Sequence, residues 1–216
     1  MPSIDAIIAV CLAGLALSAT PGPSMLYVLS HSVGQSRAAG LASAVGLCLG
    51  GTLLAVATAL GLAALFASSA WIVTVLRYLG SAYLIWLGIG MIGSARSDAQ
   101  DVVQAAPVRQ KSLGAIVWQG MLVEILNPKT VLFFALFLPP FITASSPQAD
   151  GDIRMQLLIL GVLVPLTAIP SDLTVAYLGG SIARVMNRER SMRERLSWVG
   201  GLILIAIAVN LHIGLL

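Results

Sequence analysis

Long stretches without a charged residue are the feature that most constrains the fold of this chain. Residues 6–36, 38–76 and 78–95 contain no Asp, Glu, Lys or Arg. As a single helix, the second stretch would be about 58 Å long at about 1.5 Å per residue. It therefore has to turn to fit within a hydrocarbon layer about 30 Å thick. The serine pair at positions 68 and 69 is the predicted turn.

The composition excludes a water-soluble domain of this size. Apolar residues make up 58% of the chain and charged residues only 10%, whereas soluble domains contain about 25% charged residues. A soluble protein of this length leaves too much surface in water to hide so much apolar material. We therefore predict an all-α integral membrane protein, in which the apolar N-terminal segment is a retained helix and not a cleaved signal peptide.

Six transmembrane helices in two halves are predicted from these stretches. The predicted spans are Ile4–Leu29, Gly40–Phe66, Trp71–Ser94, Leu113–Phe141, Ile153–Val185 and Leu196–Leu215. A polar loop, residues 95–112, separates a first transmembrane repeat (residues 1–94) from a second (residues 113–216). Three helices per half make the second half enter the membrane from the opposite side, which predicts two inverted repeats.

The distribution of basic residues predicts the orientation. Nine of the twelve Lys and Arg residues fall after helices one, three and five: Arg37, Arg96, Arg109, Lys111, Arg184, Arg188, Arg190, Arg193 and Arg195. The opposite side carries only Arg154. Because the side richer in Lys and Arg is cytoplasmic, both termini are expected outside, and the 95–112 loop is expected in the cytoplasm.

The first helix of each half is interrupted by proline. Thr20-Pro21-Gly22-Pro23 breaks the first half and Asn127-Pro128 breaks the second. Thr20 and Asn127 are predicted helix caps that precede a proline at the first helical position. Each break would begin a half-helix whose positive dipole end lies near the membrane midplane, where two such ends suit a substrate carboxylate. The six residues are therefore candidate substrate-binding residues.

Three ionisable residues fall deep inside predicted spans, namely Glu124, Lys129 and Asp172. Each costs about 2.5–3.5 kcal/mol at a helix centre, so each needs a partner or a role. Together they carry a formal charge of −1, which a proton, a sodium ion or a substrate ammonium group could balance. They are candidate residues for ion coupling, and a purely structural network of buried charges is the alternative.

The two cysteines offer a second functional hypothesis. Cys11 and Cys48 both lie in apolar stretches, and as a redox pair they would make the protein a membrane thiol–disulfide electron carrier. Neither cysteine adjoins a proline break, which disfavours this alternative. No arrangement of Ser, His and Asp typical of a hydrolase is visible, so an enzyme is not expected.

Several motifs resemble a known family of transporters. They are the first-helix Thr20-Pro21-Gly22-Pro23, the glycines Gly46 and Gly50, the third-helix segment from Leu76 to Gly88, and Asn127-Pro128-Lys129 followed by Phe133-Phe134. Through nearly its whole length the chain is similar to the lysine exporter and homoserine/threonine resistance (LysE/RhtB) family of bacterial amino-acid exporters.

The resemblance implies a secondary active transporter in the bacterial inner membrane that exports amino acids or close derivatives, driven by an ion gradient. It also implies that Asp172 matches an acidic position usual in helix five, whereas Glu124 replaces a residue that is more often neutral and polar. The expected partners are an amino-acid substrate, a proton or sodium ion, and membrane lipid, with a homo-oligomer left open. No nucleic acid, cofactor or metal is expected.

Overall fold

The computed structural model describes residues 1–20, 22–68, 70–100, 109–142, 150–188 and 190–213. These residues form a helical protein whose elements are α1 (Ile4–Ala19), α2 (Pro23–Gly34), α3 (Arg37–Ser68), α4 (Ala70–Gln100), α5 (Leu113–Ile125), α6 (Pro128–Leu132), α7 (Asp150–Arg188) and α8 (Arg190–Ile213). After α6 the chain continues through a π-helical turn, Phe133–Phe137, and a 3-10 turn, Pro139–Phe141.

Local signals explain most of the helix boundaries. The hydroxyl of Ser3 accepts a hydrogen bond from the amide of Ala6 at 3.2 Å, and Ser112 caps α5 by accepting from Ala115 at 3.4 Å. Both are ordinary N-caps, which satisfy a backbone donor that the first turn leaves free. α3 ends at Ser68 and α4 begins at Ala70; the second serine of the predicted turn, at position 69, lies outside the described residues, so that turn stays a prediction.

Three described helices are long and apolar enough to cross a membrane, or five if each of two bent helix pairs counts as one span. The bent pairs are α1 with α2, at 52°, and α5 with the segment from Pro128 to Phe141, at 50°. The six-span arrangement of two inverted repeats therefore stays a prediction. α4 also continues to Gln100, so the first six residues of the predicted 95–112 loop are helical.

The outward-facing surface of the long helices is apolar, as a lipid environment requires. Along α3, the exposed side chains Val45, Leu49 and Leu53 follow one another at intervals of four residues, which places them on one face. A stripe of this kind in water would be unusual for a monomeric soluble protein. The chain is a membrane protein.

The interior is formed by contacts between helices that lie far apart along the chain. α3 packs mainly on α7 and on α5, and α4 packs on α8, while α1 lies against α7 and α8. Glycines permit the closest of these approaches: a Cβ on Gly46 would collide with the carbonyl oxygen of Val117, and one on Gly50 would lie 2.7 Å from that of Met121. The close packing of α3 on α5 places Gly50 directly against Met121 and Glu124 near the end of α5.

Candidate functional site

The break between α5 and α6 has the predicted geometry. Asn127 is extended, with φ −70° and ψ 110°, and its side chain accepts a hydrogen bond from the amide of Lys129. The donor–acceptor distance is 3.1 Å. Pro128 occupies the first turn, where its missing N–H costs no helical hydrogen bond. The predicted cap at Asn127 is therefore confirmed.

The break between α1 and α2 differs from the prediction. Thr20 does not cap the following helix but ends α1, and its hydroxyl donates to the carbonyl of Leu17 at 2.8 Å. Gly22 is the N-cap of α2 and Pro23 lies in its first turn. The residue before a proline is driven into an extended conformation, which explains why α1 stops at Ala19. The predicted site residue Pro21 lies outside the described residues.

A cavity of about 80 Å³ lies between the two breaks, several times the roughly 10–15 Å³ that a single water requires. Its walls come from both breaks, from α3 and from α7. Seven of the predicted site residues line it: Thr20, Gly22, Pro23, Glu124, Asn127, Lys129 and Asp172. Pro128 does not line this cavity; it lies in a separate, open groove between α2 and α5.

Lys129 links the second break to the first. Its ammonium donates to the hydroxyl of Thr20 at 2.9 Å and to the carbonyl of Leu17 at 3.3 Å. The Leu17 carbonyl is the one that would bond to the amide of residue 21 in a continuous helix, and proline has no such amide. A backbone acceptor exposed by the first break is therefore satisfied by a cation from the second.

Glu124 is held by hydroxyl groups on both sides of the cavity. Ser24 donates to one carboxylate oxygen at 2.5 Å and Thr130 donates to the other at 3.0 Å. The side-chain amide of Asn127 donates to the Ser24 hydroxyl at 3.1 Å. Ser24 on α2 thus joins the end of α5 to the cap of α6.

Sequence analysis missed Ser24 and Thr130 as site residues. A signal for both is present in the sequence, because each is a hydroxyl residue within one turn after a predicted proline break. The partner that makes each one important is six residues away for Thr130 and 100 residues away for Ser24. No local pattern connects Ser24 with Glu124.

Asp172 lies on α7 and lines the same cavity. Within the described part of the chain, no donor or cation lies within hydrogen-bond or ion-pair distance of its carboxylate. Lys129 likewise contacts no described carboxylate at ion-pair distance. Lys129 and Asp172 therefore both line the cavity without an ion pair to a described side chain.

The two cysteines occupy different positions. Both are free thiols; Cys48 lines the cavity, and Cys11 does not. This arrangement does not support the alternative of a thiol–disulfide electron carrier, because the working cysteines of such a protein must be able to pair.

Comparisons with known proteins show which family the chain resembles. A family model described as "LysE type translocator" matches residues 15–214. A homoserine/homoserine lactone efflux protein of Salmonella typhimurium is 30% identical over 198 residues, covering 89% of each chain. A leucine efflux protein of Enterobacter sp. is 26% identical over 193 residues, covering 88% of this chain and 87% of that protein. An uncharacterized membrane protein of Pseudomonas aeruginosa is 28% identical over 192 residues, covering 88% of this chain and 87% of the relative. No solved structure matches the chain.

Proposed function

Because the chain belongs to the LysE type translocator family of amino-acid efflux proteins, we propose that it exports amino acids or close derivatives from the cytoplasm, coupled to the proton gradient. The observation that carries the proposal is the cavity between the two helix breaks, lined by Lys129, Glu124 and Asp172. Groups of this kind are expensive in a membrane, and their usual purpose there is to bind a substrate or move an ion.

The cavity has the polar groups that an amino acid needs. Its wall includes the N-terminal residues of α2, a helix of twelve residues, whose first amides and dipole favour an anion. The ammonium of Lys129 adds a positive charge at the neighbouring break. A substrate carboxylate is therefore favoured on this side of the cavity, and a substrate ammonium is favoured near the carboxylate of Asp172.

Glu124 and Asp172 are the candidates to carry the coupling ion. A carboxylate can be ionised in one step of a transport cycle and protonated in another. It can therefore bind the substrate when it is ionised and carry the proton when the substrate has left. Asp172 has no described donor on its oxygens, and it can accept either a proton or a substrate ammonium. Sodium is the alternative coupling ion.

Alternating access would arise from movement between the two halves. The packing of α3 on α7 and of α4 on α8 is the pattern that two inverted repeats would give, because each pair joins corresponding helices. With the cytoplasmic loop between the repeats and both termini outside, the cavity would open first to the cytoplasm and then to the outside of the bacterial inner membrane.

Export is tested by comparing cells that overproduce the protein with cells that lack it. Both strains are loaded with dipeptides, which peptidases convert to amino acids inside the cell, and the amino acids that appear in the medium are measured. We expect at least one amino acid to leave faster from the overproducing cells, and a protonophore to abolish the difference. A Lys129→Gln protein produced at the same level is the matched control. No change in efflux across a broad panel of dipeptides, with the protein well expressed, would refute the proposal.

A further inference from the structure

We propose that the cavity selects the complete α-amino acid zwitterion with an uncharged side chain, binding the α-carboxylate at Lys129 and the α-ammonium at Asp172. This inference rests on the export function proposed above and adds the substrate class and its orientation. It predicts that both charged groups of the substrate are required, so that amides, esters and N-acyl derivatives of the same amino acid bind poorly.

The bonding of Lys129 leaves a position for the carboxylate. An ammonium group has three donors, and two of them are used by the Thr20 hydroxyl and the Leu17 carbonyl. Both of these acceptors are neutral. One donor therefore remains for a ligand, and a carboxylate there would accept a charge-assisted hydrogen bond about twice as strong as a neutral one.

The difference between the two cavity carboxylates identifies the ammonium position. Each oxygen of Glu124 already accepts a hydroxyl donor, from Ser24 and from Thr130. No described donor reaches Asp172. Asp172 is half-buried, and a charge-assisted hydrogen bond adds most to a carboxylate that has no other donor, so a substrate ammonium stabilises Asp172 more than Glu124. Glu124 instead ties the two breaks together.

The remaining walls suit an uncharged side chain. Leu47, Phe133, Phe134 and Val164 line the cavity beside the polar groups, and both phenylalanines are buried, at 0% and 1% exposure. An aliphatic side chain packed there gains free energy from leaving water. A second ammonium, as in lysine, would meet these apolar walls.

The chain contains its own reporter of occupancy in Cys48. It has two cysteines, and Cys48 is the one that lines the cavity. In a Cys11→Ser protein, reconstituted into liposomes, the rate at which a small methanethiosulfonate reagent modifies Cys48 therefore measures access to the cavity. A bound substrate should slow this rate, and no transport is needed for the readout.

The test compares L-leucine with L-leucinamide, N-acetyl-L-leucine and L-lysine. We expect leucine to protect Cys48 at concentrations at least about tenfold lower than the other three, because a charged hydrogen bond is worth about 1.5–3 kcal/mol. Lys129→Gln should abolish the preference for leucine over its amide, and Asp172→Asn should abolish the preference over the N-acetyl compound. If a variant does not fold, the comparison of the four ligands in the Cys11→Ser protein is by itself sufficient to test the proposal.

The outcomes separate this inference from the export function. Equal protection by leucinamide or N-acetyl-leucine would overturn the zwitterion site, and stronger protection by lysine would overturn the uncharged side chain. In either case dipeptide-loaded cells would still show export. Absence of protection by every proteinogenic amino acid would overturn the site as well, and absence of export from the loaded cells would then also remove the function on which it rests.

Discussion

The ammonium of Lys129 lies 2.9 Å from the hydroxyl of Thr20, a contact that joins the two helix breaks across 109 residues of sequence. Thr20 in turn donates to the carbonyl of Leu17, which also accepts from Lys129. The three groups form a closed triangle of hydrogen bonds. The side chain of Lys129, next to the second break, therefore bonds to two groups at the first break. A substitution at one break is expected to affect the other.

Removing the Thr20 hydroxyl should weaken this link. In Thr20→Val the Lys129 ammonium loses one acceptor and the Leu17 carbonyl loses one donor, while the side-chain shape is nearly unchanged. We expect a loss of about 1 kcal/mol in the free energy of unfolding, seen as a lower midpoint of thermal unfolding in detergent, together with slower export. Thr20→Ser, which keeps the hydroxyl, is the control. Wild-type stability and export in Thr20→Val would show that the triangle is dispensable.

Neutralising Asp172 should impair transport without impairing folding. Its carboxylate makes no described hydrogen bond or ion pair, so Asp172→Asn removes no stabilising contact. We expect normal membrane insertion, an unchanged thermal midpoint, and export reduced by at least about tenfold because the substrate ammonium loses its charged partner. If Asp172 instead served to neutralise Lys129, the variant would be unstable, and adding Lys129→Gln would restore it. Wild-type export by a stable Asp172→Asn protein would remove Asp172 from the mechanism.

Adding a methyl group to the contact between α3 and α5 should destabilise the helix packing that supports the site. A Cβ at Gly46 meets the backbone of Val117 and Gly120, which cannot yield as a flexible side chain could. We expect Gly46→Ala to cost about 1–3 kcal/mol, the usual cost of overpacking, and to lower the thermal midpoint. Gly61→Ala is the matched control, because a Cβ there has no neighbour within 4 Å. Equal stability of the two variants would contradict the close packing of these helices.

The orientation is tested with reporter fusions. A reporter placed after Pro107 and a second placed after Arg190 should both be active in the cytoplasm, because the predicted spans place nine basic residues on that side and one on the other. Enzymatic reporters that are active on only one side of the membrane give the measurement. A periplasmic signal from either fusion would overturn the orientation and, with it, the proposed inverted repeats.

Much of the architecture is encoded locally and was predictable for that reason. A helix end depends on a few neighbouring residues, so the pair Asn127-Pro128 was enough to predict the break between α5 and α6. The uncharged stretches predict a membrane protein because exposing apolar surface to water costs free energy in proportion to its area, wherever that surface lies along the chain. The three ionisable residues within the spans could be identified as site candidates without knowing their partners.

The tertiary structure decided which of these groups meet. From its sequence, Thr20 could cap α2 or end α1, because a threonine hydroxyl can bond to backbone groups on either side of it. In the structure Thr20 ends α1, and the ammonium of Lys129, from a distant segment, donates to its hydroxyl. Glu124 and Asp172 are both carboxylates in apolar sequence, yet Ser24 and Thr130 reach Glu124 while Asp172 has no described partner. Local sequence rules act over about one helical turn, whereas the roles of these two carboxylates depend on contacts between helices that lie far apart along the chain.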